Sequence, residues 1–292
     1  MDLSVVIPVF NSEKTLPELY KKIRRELSAK FTFEVIFVFD CGKDNSWAVI
    51  EELINSDPST VRGYHLKRNY GQHNAILFGM TKAKGDYVIT LDDDLQHDPR
   101  FIHDLISEQK AGDYDVVYGK FEKLRHSGLR IRTSEMLRRL LRIIVHGIYP
   151  DYSPYRLIKN ATAKKIAGLK NSYSFIDGYI GWATNKISYV PVEHYKRADG
   201  VSSYSYYRLV KHALLIAIAY SRIKTWILLL ALVFNLIAIG FIVFDHDISG
   251  TVTSRIATGF LSIGICLLVL GLSAEIIHFG NLRRNTRPIV LK

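Results

Sequence analysis

The chain lacks the devices that would build a disulfide scaffold, a zinc module or a glycine-rich phosphate loop. Its two cysteines, Cys41 and Cys266, stand far apart in 292 residues. They offer no disulfide framework and fit a reducing compartment. No zinc-finger spacing occurs, and no arginine-rich run alternates with aromatics, so no nucleic acid partner is expected. Gly-x-Gly-x-x-Gly does not follow the first apolar run, and Gly-x-x-x-x-Gly-Lys-Ser/Thr occurs nowhere, which argues against dinucleotide oxidoreductases and P-loop enzymes. The sequence starts directly on a strand pattern, so no signal peptide is expected. Acidic residues are in deficit as well. Against 39 Lys and Arg stand 28 Asp and Glu, a net charge of +11, which points to anionic partners such as phosphates or a membrane surface.

Apolar residues, by contrast, are abundant at 48%, with a mean hydropathy of +0.06, and the excess sits near the C-terminus. The first part of the chain alternates strand and helix patterns. Leu3–Val9 is a nearly continuous apolar run, as in a strand buried on both faces of a parallel sheet. Asn11 or Ser12 is placed to cap a helix carrying Leu16, Leu19, Tyr20, Ile23 and Leu27. Phe33–Phe39 is a second strand, followed by a helix with Trp47, Ile50, Leu53 and Ile54. Val61–Leu66 is a third, and a helix over Gln72–Ala83 leads into Tyr87–Leu91. This order predicts an α/β domain with a parallel sheet, right-handed crossovers and a ligand site beyond the strand carboxyl ends.

Three carboxylates, Asp92, Asp93 and Asp94, fall at that edge, with Pro8-Val9-Phe10 and Asp40. Carboxylates crowded at a strand end repel unless a cation sits among them, and hard divalent ions take oxygen ligands while leaving positions for phosphates. Alternation along an extended segment lets Asp92 and Asp94 share a cation while Asp93 faces elsewhere. A solvated acidic turn is the alternative. With no phosphate loop present, a diphosphate has to be held by metal and side chains.

Ser4–Asn11, the Asp40–Trp47 turn, Arg68-Asn69-Tyr70-Gly71-Gln72-His73 and Asp92-Asp93-Asp94-Leu95-Gln96 occur in the order seen in family 2 glycosyltransferases of the GT-A fold. The chain resembles most the polyprenyl-phosphate group, which includes dolichol-phosphate mannose synthase and the bactoprenol-phosphate glucosyltransferases. The likeness runs from residue 3 to about residue 210, with a similar two-helix tail. It implies that Asp92, Asp94 and Gln96 hold Mg²⁺ or Mn²⁺, and that Pro8, Phe10 and Asp40 line the base pocket, with Asp93 on the nucleotide side. The usual Asp-Asp-Gly-Ser turn here reads Phe39-Asp40-Cys41-Gly42, and Ser12 stands where many members carry Glu, with Glu13 next to it. These departures touch base recognition. The Gln-x-x-Arg-Trp motif of processive synthases is absent.

Between Lys120 and Arg142 eight cations face two acids. Lying between the acidic triplet and the apolar tail, this run suits lipid head groups or an acceptor phosphate, Arg125 and Arg130 foremost; a solvated helix face is the alternative. Asp151–Leu157 is similar to the family segment ending Asp-Phe-Arg-Leu, with Pro154 in place of the usual aspartate. Val190–Arg197 and Gly200–Ser205 match its acceptor-side loop, which makes Arg197, Ser203 and Tyr204 candidates for phosphate contact. Asp177 and Asp151 are the candidate bases should the acceptor be a hydroxyl. His65, His97 and His103 read as packing or surface residues.

The tail begins with a short apolar segment, Leu209–Ser221, read within 209–225 as an amphipathic interfacial helix. Trp226–Phe244 and Ile256–Ala274 then give 19 uncharged residues each, about 28 Å as helix, enough to cross a bilayer. Arg222 and Lys224 precede the first span, and Arg283, Arg284, Arg287 and Lys292 follow the second, which places both ends in the cytoplasm. The expected layout is a GT-A catalytic domain over 1–208, the interfacial helix, and a transmembrane hairpin over 226–292 (spans near 226–244 and 256–277), in a bacterial inner membrane. The expected activity is inverting transfer of a hexose from a nucleotide-sugar donor to a polyprenyl phosphate in cell-envelope polysaccharide synthesis. Transfer to a hydroxyl of a lipid-linked oligosaccharide is the second reading, and a nucleotide-binding membrane scaffold without turnover the third. Homo-oligomerisation, the sugar, the base and the carrier length are left open.

Overall fold

The structure, a computed structural model, describes residues 1–121, 149, 151–171, 173–193, 206–220, 222–244, 251–284 and 288–291. Strand β1 (Leu3–Val9) is buried along its whole length. Leu3, Val5, Ile7 and Val9 enter one apolar layer with helices α1 (Leu16–Leu27) and α4 (Ile102–Gly112), whereas Val6 enters the opposite layer with α3 (Gln72–Lys82). A strand with helices on both faces has no polar side to show, hence the unbroken apolar run.

Among the described residues, seven strands form one sheet in the order β3-β2-β1-β4-β6-β5-β7. Here β2 is Phe33–Phe39, β3 Val61–His65, β4 Tyr87–Thr90, β5 Val116–Phe121, β6 Arg156–Lys159 and β7 Ile187–Val192. Helices α2 (Ser46–Ser56), α5 (Asn160–Gly168) and α6 (Ile176–Ala183) complete the layers. All pairings are parallel except those of β6, which runs antiparallel to β4 and β5. The chain leaves β5 at the carboxyl rim and re-enters the sheet from that rim, so β6 must run backwards. Register sets Val9 opposite Phe39 and Val6 opposite Thr90, which brings the loops after β1, β2 and β4 to one edge.

The expected cap of α1 is corrected. The capping position is Thr15, without a side-chain cap bond, because the residues foreseen as caps are engaged elsewhere. Asn11 Oδ1 accepts the Lys43 N–H (2.6 Å), and the Ser12 hydroxyl donates to Asp93 (2.5 Å).

Helix α7 (Tyr206–Tyr220) does not lie apart from the domain. Ile216 and Tyr220 are buried, and the Tyr220 hydroxyl accepts the Phe175 N–H at 3.1 Å. Helices α8 (Ile223–Phe244) and α9 (Thr251–Arg284) run antiparallel. Lys224 pairs with Glu275 at 3.1 Å, and Gly271 and Gly264 lie against Leu228 and Asn235. Among the described residues, Arg255–Gly280 alone is a helix long and apolar enough to cross a membrane. Lys224–Gly240 meets the same test only together with Leu214–Tyr220, from which it bends by 78°. Beyond α9, Val290 forms an antiparallel bridge with Leu66 at the β3 edge.

Helix α3 approaches the sheet at Gly79, where a Cβ would stand 2.4 Å from Val6 Cγ1 and 3.2 Å from Val38 Cγ2. Both neighbours are β-branched and buried, so neither can swing away. Gly79→Val should cost about 1–3 kcal/mol, read as a fall of several degrees in the apparent melting temperature in detergent.

Candidate active site

Each of the first four strands leaves the sheet through a left-handed residue: Asn11 (φ 55°), Cys41 (φ 58°), Gly71 (φ 87°) and Leu95 (φ 64°). Only glycine takes this conformation freely, so the three with side chains carry strain of about 1 kcal/mol or more each. Such turns reverse the backbone sharply and aim amide groups and carboxylates inward. The resulting cleft is lined by Pro8, Val9, Phe10, Asp40, Asn69, Gly71, Gln72, Asp92, Asp93 and Asp94.

Asp93 points back toward β1, where it accepts the Phe10 N–H (3.0 Å) and the Ser12 hydroxyl. Burial pushes its carboxyl up to about 6 against those two bonds. Asp92 accepts from Gln72 Nε2 at 2.6 Å. Protein atoms crowd Asp92, and Asp94 and then Asp93 add their charge, so its carboxyl rises to about 7 although Arg156 and Gln72 oppose this. The Asp92 N–H donates to His97 Nδ1 (3.1 Å), so that ring nitrogen carries no proton. His97 is buried and stacked between Phe121 and Tyr155, as a packing residue. Asp94 Oδ1 accepts the Gln96 N–H at 3.1 Å, which closes the turn around Leu95.

Asp40 is buried at the end of β2. Its two oxygens accept the Tyr70 and Gly71 N–H groups, each at 2.7 Å, and burial lifts its carboxyl to about 6. Thus the acid foreseen on the base pocket also clamps the loop that follows β3. Glu13 does not line the cleft. It accepts the Asn45 N–H (2.9 Å) while its own N–H donates to Asp44 (2.9 Å), tying the loops after β1 and β2 together.

The two candidate bases are both paired. Asp177 is buried, 3.3 Å from Arg156 Nη1, and accepts the Tyr118 hydroxyl at 2.9 Å. Asp151 lies 3.0 Å from Lys120, whose ammonium also stands over the Tyr189 ring at 4.5 Å. Arg125, Arg130, Arg197, Ser203 and Tyr204 lie outside the described residues.

Sequence reasoning assigned no role to Asn69 or Gln72 as cleft residues. Gln72 belongs to a segment singled out by resemblance, but a neutral amide carries no chemistry by itself. Arg156 could be located only once β6 was known to slot beside β4. Its guanidinium, 2% exposed, is a buried cation that pairs with Asp177 and whose charge also favours ionised Asp92.

The family profile described as glycosyl transferase family 2 matches residues 4–170. The chain belongs to glycosyl transferase family 2. An undecaprenyl-phosphate 4-deoxy-4-formamido-L-arabinose transferase from Enterobacter sp. (strain 638) is 32% identical over 211 residues, 71% of this chain and 64% of that protein. The match therefore spans just under two thirds of the relative. Among solved structures, Staphylococcus aureus TarS 1–349 in complex with UDP-GlcNAc gives a TM-score of 0.52 at 17% identity, over 95% of this chain and 82% of that one. Glucosyl-3-phosphoglycerate synthase from Mycobacterium tuberculosis, with Mn²⁺, UDP-glucose and phosphoglyceric acid, gives 0.51 at 15% over 74% and 77%. A Pyrobaculum calidifontis mannosyltransferase with GDP-Man and Mn²⁺ gives 0.51 at 12% over 93% and 73%. These likenesses establish the α/β GT-A-like fold of this family 2 glycosyltransferase.

The residues present fit a divalent cation. Crowded carboxylates offer hard oxygen donors whose repulsion a cation would relieve. Among the described residues no group of three or more acidic, histidine or cysteine side chains is placed to hold a metal ion. Asp92 and Asp94, which line one cleft, would therefore hold a cation only together with donors from outside the protein, such as substrate phosphates.

The carboxyls of Asp40, Asp92 and Asp93 hold their protons to higher pH in the folded chain than their ordinary value of 3.8, up to about 6, 7 and 6. Their contribution to stability is therefore complete below that ordinary value and is lost as pH rises through 6 to 7. Bound metal requires the ionised forms. Adding Mn²⁺ should therefore raise the melting temperature more at about pH 8 than at about pH 5. Equal shifts at both pH values would remove Asp92 from metal binding.

Proposed function

We propose that this glycosyltransferase moves a sugar from a nucleotide diphosphate donor to a polyprenyl phosphate at the cytoplasmic face of a membrane, with inversion at the anomeric carbon. The observation that carries this reading is the cleft itself, where a half-exposed Phe10, Asp40 and three carboxylates meet at one sheet edge. The name of the Enterobacter relative supports the acceptor class.

Asp92 and Asp94, with Gln96, would hold Mg²⁺ or Mn²⁺, and that cation would supply charge to neutralise the leaving diphosphate. Asp93 keeps the β1 turn in place through the Phe10 N–H, which sets the ring where a base can stack. Pro8 and Asp40 close the base side. Arg156 lowers the cost of ionising Asp92 and is not among the residues that line the cleft. Arg125, Arg130, Arg197, Ser203 and Tyr204 would hold the acceptor phosphate in line with the anomeric carbon.

A phosphate monoester is mostly dianionic at pH 7 and is already a nucleophile, so it needs cations and no strong base. A sugar hydroxyl would need an available carboxylate. Both candidates are engaged with cations, Asp177 in a buried pair and Asp151 with Lys120, which favours the phosphate. Membranes incubated with a panel of radiolabelled sugar nucleotides should yield a labelled acidic lipid. Asp94→Asn should lose turnover by orders of magnitude, because metal charge stabilisation is worth several kcal/mol. Asp177→Asn should reduce stability by about 3–5 kcal/mol through the broken buried pair yet keep turnover at low temperature. If folded Asp177→Asn protein binds donor but transfers nothing, the hydroxyl acceptor replaces the phosphate.

The domain plan is a catalytic domain over 1–208, a docked helix over 209–225, and two spans near 226–244 and 256–277. The outward sides of α8 and α9 carry exposed Leu, Ile and Trp side chains such as Trp226, Leu236 and Leu270. Because Val290 pairs with Leu66 after α9, the chain returns to the catalytic domain, as two crossings require. In a background lacking Cys41 and Cys266, Ser249→Cys should react with an impermeant thiol reagent from the non-cytoplasmic side and Asn285→Cys should not. The opposite pattern overturns the orientation.

A further inference from the structure

The sheet ends at β3, and an edge strand presents unpaired backbone groups to whatever can add to it. Here the segment that follows α9 adds to it. The Lys67 N–H donates to the Ile289 carbonyl (2.8 Å), and the Leu291 N–H donates to the His65 carbonyl (2.7 Å), on either side of the Leu66–Val290 pair. The Ile289 N–H donates to the Tyr70 hydroxyl at 3.2 Å. Val290 packs into the apolar layer that contains Leu66, whereas Ile289 and Leu291 are 55% and 60% exposed. One side chain in and its two neighbours out is the alternation of a strand.

These partners are not scattered along β3. Every one lies between His65 and Tyr70, on the stretch that leads into the cleft wall. Directly beyond, the Tyr70 and Gly71 N–H groups bind Asp40, and the Gln72 amide binds Asp92. Asn69, Gly71 and Gln72 line the cleft. Between the end of β3 and the start of α3 the segment belongs to no helix or strand, and Gly71 takes a φ of 87° with open space where a Cβ would stand. Such a loop is held by its contacts at both sides. Asp40 holds it from within the cleft, and the C-terminal strand holds it from outside.

We propose that residues 288–291 are a positioning element of the active site. They form an eighth, edge strand that orders the 67–72 loop and thereby sets the wall against which the donor binds. Tyr70 is its positioning residue, joined to the tail through its hydroxyl and to Asp40 through its N–H. Because the tail continues from α9, the membrane-side helices and the donor cleft share one mechanical connection. The effect on donor binding rests on the glycosyltransferase reading given above, while the strand itself does not.

The test uses the full chain in detergent micelles and four altered forms. Leu291→Pro removes the N–H that donates to His65, Leu291→Ala keeps it, Tyr70→Phe removes the hydroxyl that accepts from Ile289, and one form ends at Pro288. Hydrogen–deuterium exchange should quicken by about 3–10-fold at the Lys67, Tyr70 and Gly71 amides in Leu291→Pro, roughly the loss of one hydrogen bond. The shortened chain should exceed that, Tyr70→Phe should quicken Tyr70 and Gly71, and Leu291→Ala should match the parent. Unchanged exchange in β1 would report an intact fold. With the donor identified by the sugar-nucleotide panel, Leu291→Pro should raise donor KM by about 3–10-fold, with kcat and acceptor KM within about twofold. Exchange at these amides that is unchanged in the shortened chain, or equal in Leu291→Ala and Leu291→Pro, overturns the strand. Faster exchange with an unaltered donor KM overturns its positioning role. A parent chain that turns over no sugar nucleotide refutes the activity instead, and exchange still decides the strand.

Discussion

Three carboxylates held side by side at the end of a buried strand are the constraint on which the rest of this structure depends. Left to themselves, Asp92, Asp93 and Asp94 would repel one another and resist burial, and the upward displacement of Asp92 to about 7 reflects both effects. The fold meets this in three ways. Asp93 is turned toward β1 and given two donors. Asp92 receives the Gln72 amide and the charge of Arg156. Asp94 stays in the cleft with Asp92, where a divalent cation would complete the neutralisation. A site that is unfavourable alone would be relieved by a cation brought in together with a polyanionic substrate.

The backbone around the site is shaped for the same end. Left-handed residues after β1, β2, β3 and β4 are costly where the residue is Asn, Cys or Leu. Strain of this kind persists only where surrounding contacts over-determine it. Asn11 is held through Lys43, Asp40 anchors the turn after β3, and the Asp94–Gln96 bond closes the turn at Leu95. The loops are thus linked to one another as well as to their own strands. Glu13 and Asp44 add a further tie between the first two.

The C-terminal helices connect this site to an apolar surface. Helix α7 is docked through Tyr220, α8 and α9 lie antiparallel, and the chain end returns to the sheet. Arg255–Gly280 alone, among the described residues, is long and apolar enough to cross a membrane.

The order of strands and helices in the first half, the sheet edge that carries the site and the acids placed there were legible from the amino-acid sequence. They depend on local quantities: apolar period, turn residues and the clustering of like charges. The positions facing the cleft at Pro8, Phe10, Asp40 and Asp92–Asp94 followed, because a parallel sheet brings strand ends together whatever the details. Tertiary structure alone decided the partners. Nothing local says that Ser12 gives its hydroxyl to Asp93 instead of capping α1, or that β6 runs backwards and brings the Arg156 charge to bear on Asp92. The same holds for Asp177, which reads as an available carboxylate until Tyr118 and Arg156 close around it. The tail at 288–291 is the extreme case. Four residues carry no periodic signal, and their pairing with β3 spans more than two hundred positions, so only the folded chain could bring those backbone groups together.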